Sequence, residues 1–202
     1  MKLRKALAFI IFLGLSASTS SQVLYGQQAS HDSMNYLVRV QVKLDNDIQT
    51  DQHIFGGIDL FGGIIISERF ILTVANPFRS RPSRVVVKAG VKNYRDAGQV
   101  RETGMDHVHP HPLYQPNGDG NGFDASYDVA LIHLAGEKLH LGVNYRATKA
   151  VLPVDFYLKV IELPLGTTCK ITGWGSTQRG YPHAHHGYPD HATEGQVIVR
   201  DD

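Results

Sequence analysis

Phe61-Gly62-Gly63-Ile64-Ile65-Ile66-Ser67 and, two residues further on, Phe70-Ile71-Leu72-Thr73-Val74-Ala75-Asn76-Pro77 decide how this chain of 202 residues is read. Both are short runs of apolar and β-branched side chains bounded by turn-forming residues, the mark of neighbouring strands. Working outward, Val38, Val40 and Val42 alternate with Arg39, Gln41 and Lys43, the period of a half-buried antiparallel strand. Strands are expected over 63–67, 70–75, 84–89, 129–134, 169–174 and 196–200. The connections are rich in glycine, proline, asparagine and aspartate, and no long amphipathic helical period occurs, so the class is all-β.

Three more blocks, in a fixed order with the first, carry a family resemblance. Val23-Leu24-Tyr25-Gly26-Gln27-Gln28-Ala29-Ser30, then Asn35-Tyr36-Leu37-Val38, resembles the mature N-terminus and first strand of trypsin-like serine proteases (peptidase S1). The opening stretch resembles that family's Cys-Gly-Gly-Ser-Leu-Ile-Ser and Thr-Ala-Ala-His-Cys segments. Phe61 and Pro77 stand for two bridging cysteines, and Asn76 for the catalytic histidine. His111-Pro112-Leu113-Tyr114, then Tyr127-Asp128-Val129-Ala130-Leu131-Ile132-His133-Leu134, resembles the stretch bearing the catalytic aspartate. Cys169-Lys170-Ile171-Thr172-Gly173-Trp174-Gly175-Ser176-Thr177 resembles the opening of the second half.

The resemblance implies two antiparallel β-barrels with the active site in the cleft between them. Residues 23–140 are expected to form a complete first barrel, 141–164 the crossing segment and 165–202 the start of a partial second barrel. The family's Gly-Asp-Ser-Gly-Gly nucleophile motif does not occur in the sequence. A partly built barrel exposes strand edges, so either a partner or a shortened gene product is expected.

Residues 1–22 have a basic start (Lys2, Arg4, Lys5), an apolar run from Ala6 to Leu15 and a small-residue tail, which reads as a secretory signal peptide. The run is about half the roughly twenty residues that cross a bilayer, so no membrane anchor is expected. Losing those three cations takes the formal charge from +1 to −2, with both signs mixed along the chain, and nothing points to nucleic acid. Asn-x-Ser/Thr sequons are absent. Cys169 is the only cysteine, so no internal disulfide forms; its thiol is either free or bridged to another chain. Each bridge lost relative to the family costs about 2 to 5 kcal/mol, part of which the ring of Phe61 offsets.

Of the triad that the resemblance implies, Asp128 alone is retained. The amide of Asn76 is able to donate a hydrogen bond to Asp128 but does not titrate near neutral pH, so it is no general base. His107, His109 and His111 alternate along an expected strand that motif order places away from Asn76. Ser176 matches a structural serine, and Tyr25 breaks the N-terminal activation motif.

Two stretches have metal-like spacing. Asn117-Gly118-Asp119-Gly120-Asn121-Gly122, with Asp128 six residues beyond, departs from a calcium loop in having Asn first and Asp at the twelfth position where Glu is usual, and reads as a glycine-rich surface loop. In the loop over 90–99, where the family has its calcium site, only Asp96 is acidic. His183, His185, His186 and His191 carry imidazoles able to hold zinc or copper weakly, against the plainer reading of a solvated loop. Arg79, Arg81 and Arg84 likewise read as a solvated loop rather than a docking patch for acidic glycans.

The expectation is a secreted, catalytically inactive serine protease homologue that needs no cofactor and acts by binding a protein partner. The alternatives are a fragment or isoform of a working protease and a histidine-rich metal-binding protein.

Overall fold

The computed structural model of the chain describes residues 27–30, 34–43, 60–80, 82–93, 96–115, 127–151, 163–174 and 191–200. Its strands are β1 (Gln27–Gln28), β2 (Leu37–Lys43), β3 (Leu60–Ile65), β4 (Phe70–Thr73), β5 (Arg84–Ala89), β6 (Gln99–Thr103), β7 (Val108–Pro110), β8 (Ala130–His133), β9 (Thr168–Gly173) and β10 (Thr193–Ile198). Helical structure among the described residues is confined to the 3-10 turns Asn76–Ser80, Met105–His107 and Val143–Tyr145. The protein is all-β.

Seven strands pair antiparallel in the order β6-β5-β2-β3-β4-β8-β7. Neighbouring strands lie about 4.8 Å apart, so a flat sheet would hold its edges roughly 29 Å from each other. The edges, β6 and β7, are nevertheless consecutive in the chain, and the backbone from Thr103 to Val108 reaches at most about 18 Å. The sheet therefore curls on itself into a barrel.

Register fills that barrel. Val38, Val40 and Val42 face Ala89, Val87 and Val85 across the β2–β5 pair, and all of them are buried. Ile65, Ile71, Ile132, Leu134 and Leu139 complete the core, together with Ala147 from the segment that leaves the barrel. Each fully buried aliphatic side chain contributes about 1.5 to 3 kcal/mol. Gly63 has to be small: a Cβ there would lie 2.7 Å from Ile71 Cγ2 and 3.0 Å from Val38 Cγ2.

β1, β10 and β9 form a second antiparallel sheet, the part of the second barrel that the described residues build. It meets the first sheet through Met34, Leu37, Ile64 and Ala192, edged by Trp174, Ile66 and Leu72. The Trp174 indole N–H donates to the Lys92 carbonyl at 3.1 Å and fixes the junction.

Several sequence expectations are corrected here. The outer face of β2 is not uniformly wet: Arg39 is only 5 % exposed, because the second sheet covers it and sets the Trp174 ring 5.9 Å from its guanidinium. Gln41 and Lys43, beyond that sheet, are half-buried. The last strand runs over Thr193–Ile198, earlier than 196–200, because its pairing with β9 and β1 fixes its start. His107, His109 and His111 do not share a strand, since His107 closes a 3-10 turn and β7 ends at Pro110.

Candidate functional site

Strand pairing builds the site. β4 and β8 are antiparallel with Thr73 opposite Ala130, and continuing that register sets Ala75 opposite Asp128. There β4 stops pairing and the 3-10 turn Asn76–Ser80 begins, leaving amide N–H groups in need of acceptors. Asp128 supplies one: its Oδ1 accepts from the Ala75 N–H and from the Asn76 N–H, both at 2.7 Å. The carboxylate is 4 % exposed, and such charge-assisted bonds are about twice as strong as neutral ones. Just before it, Tyr127 takes a left-handed conformation with φ 59°. That bend turns the chain into the buried aspartate.

Asn76 thus meets Asp128 through its backbone, where the sequence suggested a bond from its side-chain amide. The side-chain Oδ1 instead accepts from the Tyr114 hydroxyl at 3.4 Å. Tyr114 packs on the barrel core, and burial first, then the charge of Asp128, raises its phenol above the usual tyrosine range, with Arg79 opposing. Tyr114 is the site residue that sequence reasoning quoted without assigning a role; its place three residues after His111 was the available signal. Chemically, the side chain that Asn76 brings to this corner is an amide, which holds hydrogen bonds but moves no proton near neutral pH.

Of the three histidines, His111 joins the strand that follows Asp128. β7 folds back along β8, and the His111 N–H donates to the Val129 carbonyl, adjacent to Asp128, at 2.8 Å. Its ring stacks on Tyr127 with centroids 4.8 Å apart, and its Nδ1 accepts from the Leu113 N–H at 3.2 Å. His107 packs edge-on against His133, which stacks on Phe70.

Phe61 fills space beside the site as expected, and Phe78 packs against it. The two rings meet edge to face at 5.4 Å and join β3 to the 3-10 turn. Such a pair contributes about 0.5 to 1.5 kcal/mol beyond the area it buries.

Asp96 is committed to its own loop, where Oδ2 accepts from the Lys92 and Asn93 N–H groups at 2.8 and 2.9 Å. Those bonds hold its carboxyl below the usual range. Cys169 is a buried free thiol on β9, opposite Val197. His191 is exposed and bridges Asn93. His183, His185, His186, Ser176, Arg81, the stretch over 117–122 and residues 1–26 lie outside the described residues. Among the described residues, no group of three or more His, Cys, Asp or Glu side chains is placed to hold a metal ion.

Comparison with known proteins gives one family. A family model described as "Trypsin" matches residues 24–201. Human serine protease 56 is 26% identical over 163 residues, 81% of this chain and 23% of that protein. Human granzyme B is 24% identical over 180 residues, 89% of this chain and 62% of granzyme B. The chain thus spans less than two thirds of the length of these relatives. Among solved structures, one titled "Structure of GrC" aligns with a TM-score of 0.64 at 19% identity, over 89% of this chain and 66% of the other. The mouse serine protease neuropsin aligns with a TM-score of 0.60 at 19% identity and the same coverage.

Proposed function

This chain belongs to the trypsin-like serine protease family, and from that premise we propose that it is a secreted, non-catalytic member that binds another protein and thereby regulates proteolysis. The observation that carries this reading is Asn76. It occupies the position that the resemblance gives to the general base, with its backbone N–H 2.7 Å from Asp128 and its side-chain carbonyl taken by Tyr114. In the family mechanism a histidine takes the nucleophile's proton and returns it to the leaving group, while the aspartate keeps that histidine oriented. An amide does neither step. Asp128 retains a use independent of catalysis, because it caps the backbone where β4 ends.

A scaffold freed from turnover keeps its surface loops for recognition, the role proposed for this chain. The test is a fluorophosphonate probe, applied to full-length protein collected from the medium of expressing cells. No serine should be labelled, and native mass spectrometry of the same material should show a bound protein. Labelling of a serine, or hydrolysis of arginine or aromatic peptide esters, would overturn the reading.

A further inference from the structure

Like charges face each other twice on one side of the β2–β5 pair. Arg39 stands opposite Lys88, and Lys43 opposite Arg84, with Gln41 and Val86 between them. The alternation of a strand sends all four cationic side chains to the same outer face. Like charges directly opposite one another across strands are destabilising, so the arrangement costs stability unless an anion offsets it. Glu102 on β6 pairs with the exposed Arg84 guanidinium at 3.4 Å. Among the described residues, neither Lys43 nor Lys88 forms an ion pair. Burial, then the charges of Arg39 and Lys43, holds the Lys88 ammonium below the usual lysine range.

The second sheet covers the Arg39 end of this face; beyond it Arg84 is exposed and Lys43 and Lys88 are half-buried, along a stripe about 13 Å long. Protein partners bind mainly through aromatic and arginine side chains desolvated in well-packed pockets. Among the described side chains of this stripe, only Val100, opposite Lys88, is apolar and exposed. A cationic stripe without an exposed aromatic side chain suits a linear polyanion. We infer that the outer face of β2 and β5 binds a sulfated glycan chain through Lys43, Arg84 and Lys88. The sequence split these residues between a strand pattern and a separate arginine cluster, and the register joins them.

Heparin titrated calorimetrically into the full chain tests this, with poly-glutamate as the competing polyanion. Wild type should bind heparin, with an affinity that falls as salt rises. The Lys43→Gln/Lys88→Gln variant should bind about a hundredfold more weakly, roughly tenfold for each charge-assisted bond. Lys149→Gln, an exposed cation outside the stripe, should bind within about twofold of wild type. The Lys43→Arg/Lys88→Arg variant keeps the charge and should bind as wild type does, which separates a lost contact from a lost fold. Absence of heparin binding by wild type, equal losses in the double variant and in Lys149→Gln, or tighter binding of poly-glutamate each overturns the assignment. The last of these would point to an acidic protein instead.

Discussion

Replacing Asp128 by alanine measures what this carboxylate contributes to the fold. The change leaves the Ala75 N–H, which is buried, and the Asn76 N–H, which is partly buried, without their acceptor. An unsatisfied buried donor costs about 1 to 3 kcal/mol, and bonds to a charged acceptor sit at the upper end, so Asp128→Ala should lose roughly 3 to 5 kcal/mol. Asp128→Asn keeps an oxygen in the same place and gives up only the charge assistance, so about 1 to 2 kcal/mol should be lost. At 2 to 4 °C per kcal/mol for a chain of this size, Tm should fall by about 6 to 20 °C for the alanine variant and about 2 to 8 °C for asparagine. Urea unfolding followed by fluorescence of the single tryptophan, Trp174, supplies the free energies, and an unchanged m value confirms a common mechanism. An alanine variant within about 0.5 kcal/mol of wild type, or one equal to the asparagine variant, would show that the backbone cap carries no weight.

A double-mutant cycle on Phe61→Ala and Phe78→Ala should give a coupling of about 0.5 to 1.5 kcal/mol, and additivity would mean that the edge-to-face pair does not replace a cross-link. Asp96 has a folded-state pKa depressed by the Asn93 amide first and then the Lys92 amide. Its contribution is therefore present above the unfolded carboxylate value and lost as pH falls through the folded one. Asp96→Asn should flatten the decline in urea midpoint across that acid range, and an unchanged slope would refute the turn-cap role. The Tyr36 phenol is pushed up to about 12, by burial first and then by Glu194. Its contribution is complete below the unfolded tyrosine value near 10 and is lost as pH rises toward about 12, so Tyr36→Phe should reduce the alkaline loss of stability. Phenolate absorbance that shows no late-titrating tyrosine absent from the variant would contradict this.

The parts of the fold that were legible are those where burial writes a period into the chain. Val38, Val40 and Val42 announced β2, and the residues over 84–89 announced β5, because each lines the barrel with alternate side chains. β6 was invisible: in Gln99-Val100-Arg101-Glu102-Thr103 only Thr103 is buried, so an edge strand held by backbone pairing reads as polar loop. The burial of Arg39 is equally hidden, since the Trp174 ring that lies over its guanidinium comes from 135 residues further along the chain.

At the site, the meeting of Asn76 with Asp128, 52 residues apart, came from the family resemblance rather than from local pattern. That resemblance aligned Pro77 with a bridging cysteine, and nothing in it pointed to Phe78 as the residue that takes up the contact with Phe61. Motif order runs along the chain and does not show that β7 pairs back along β8, which sets the His111 backbone against Val129, next to Asp128.

The central claim, that the corner holding Asn76 and Asp128 supports recognition and not turnover, meets its most direct test in active-site labelling of the full-length secreted protein. A fluorophosphonate probe should leave every serine unmodified under conditions that label an active trypsin-like protease to completion. A single serine carrying the probe in stoichiometric amount would contradict the account.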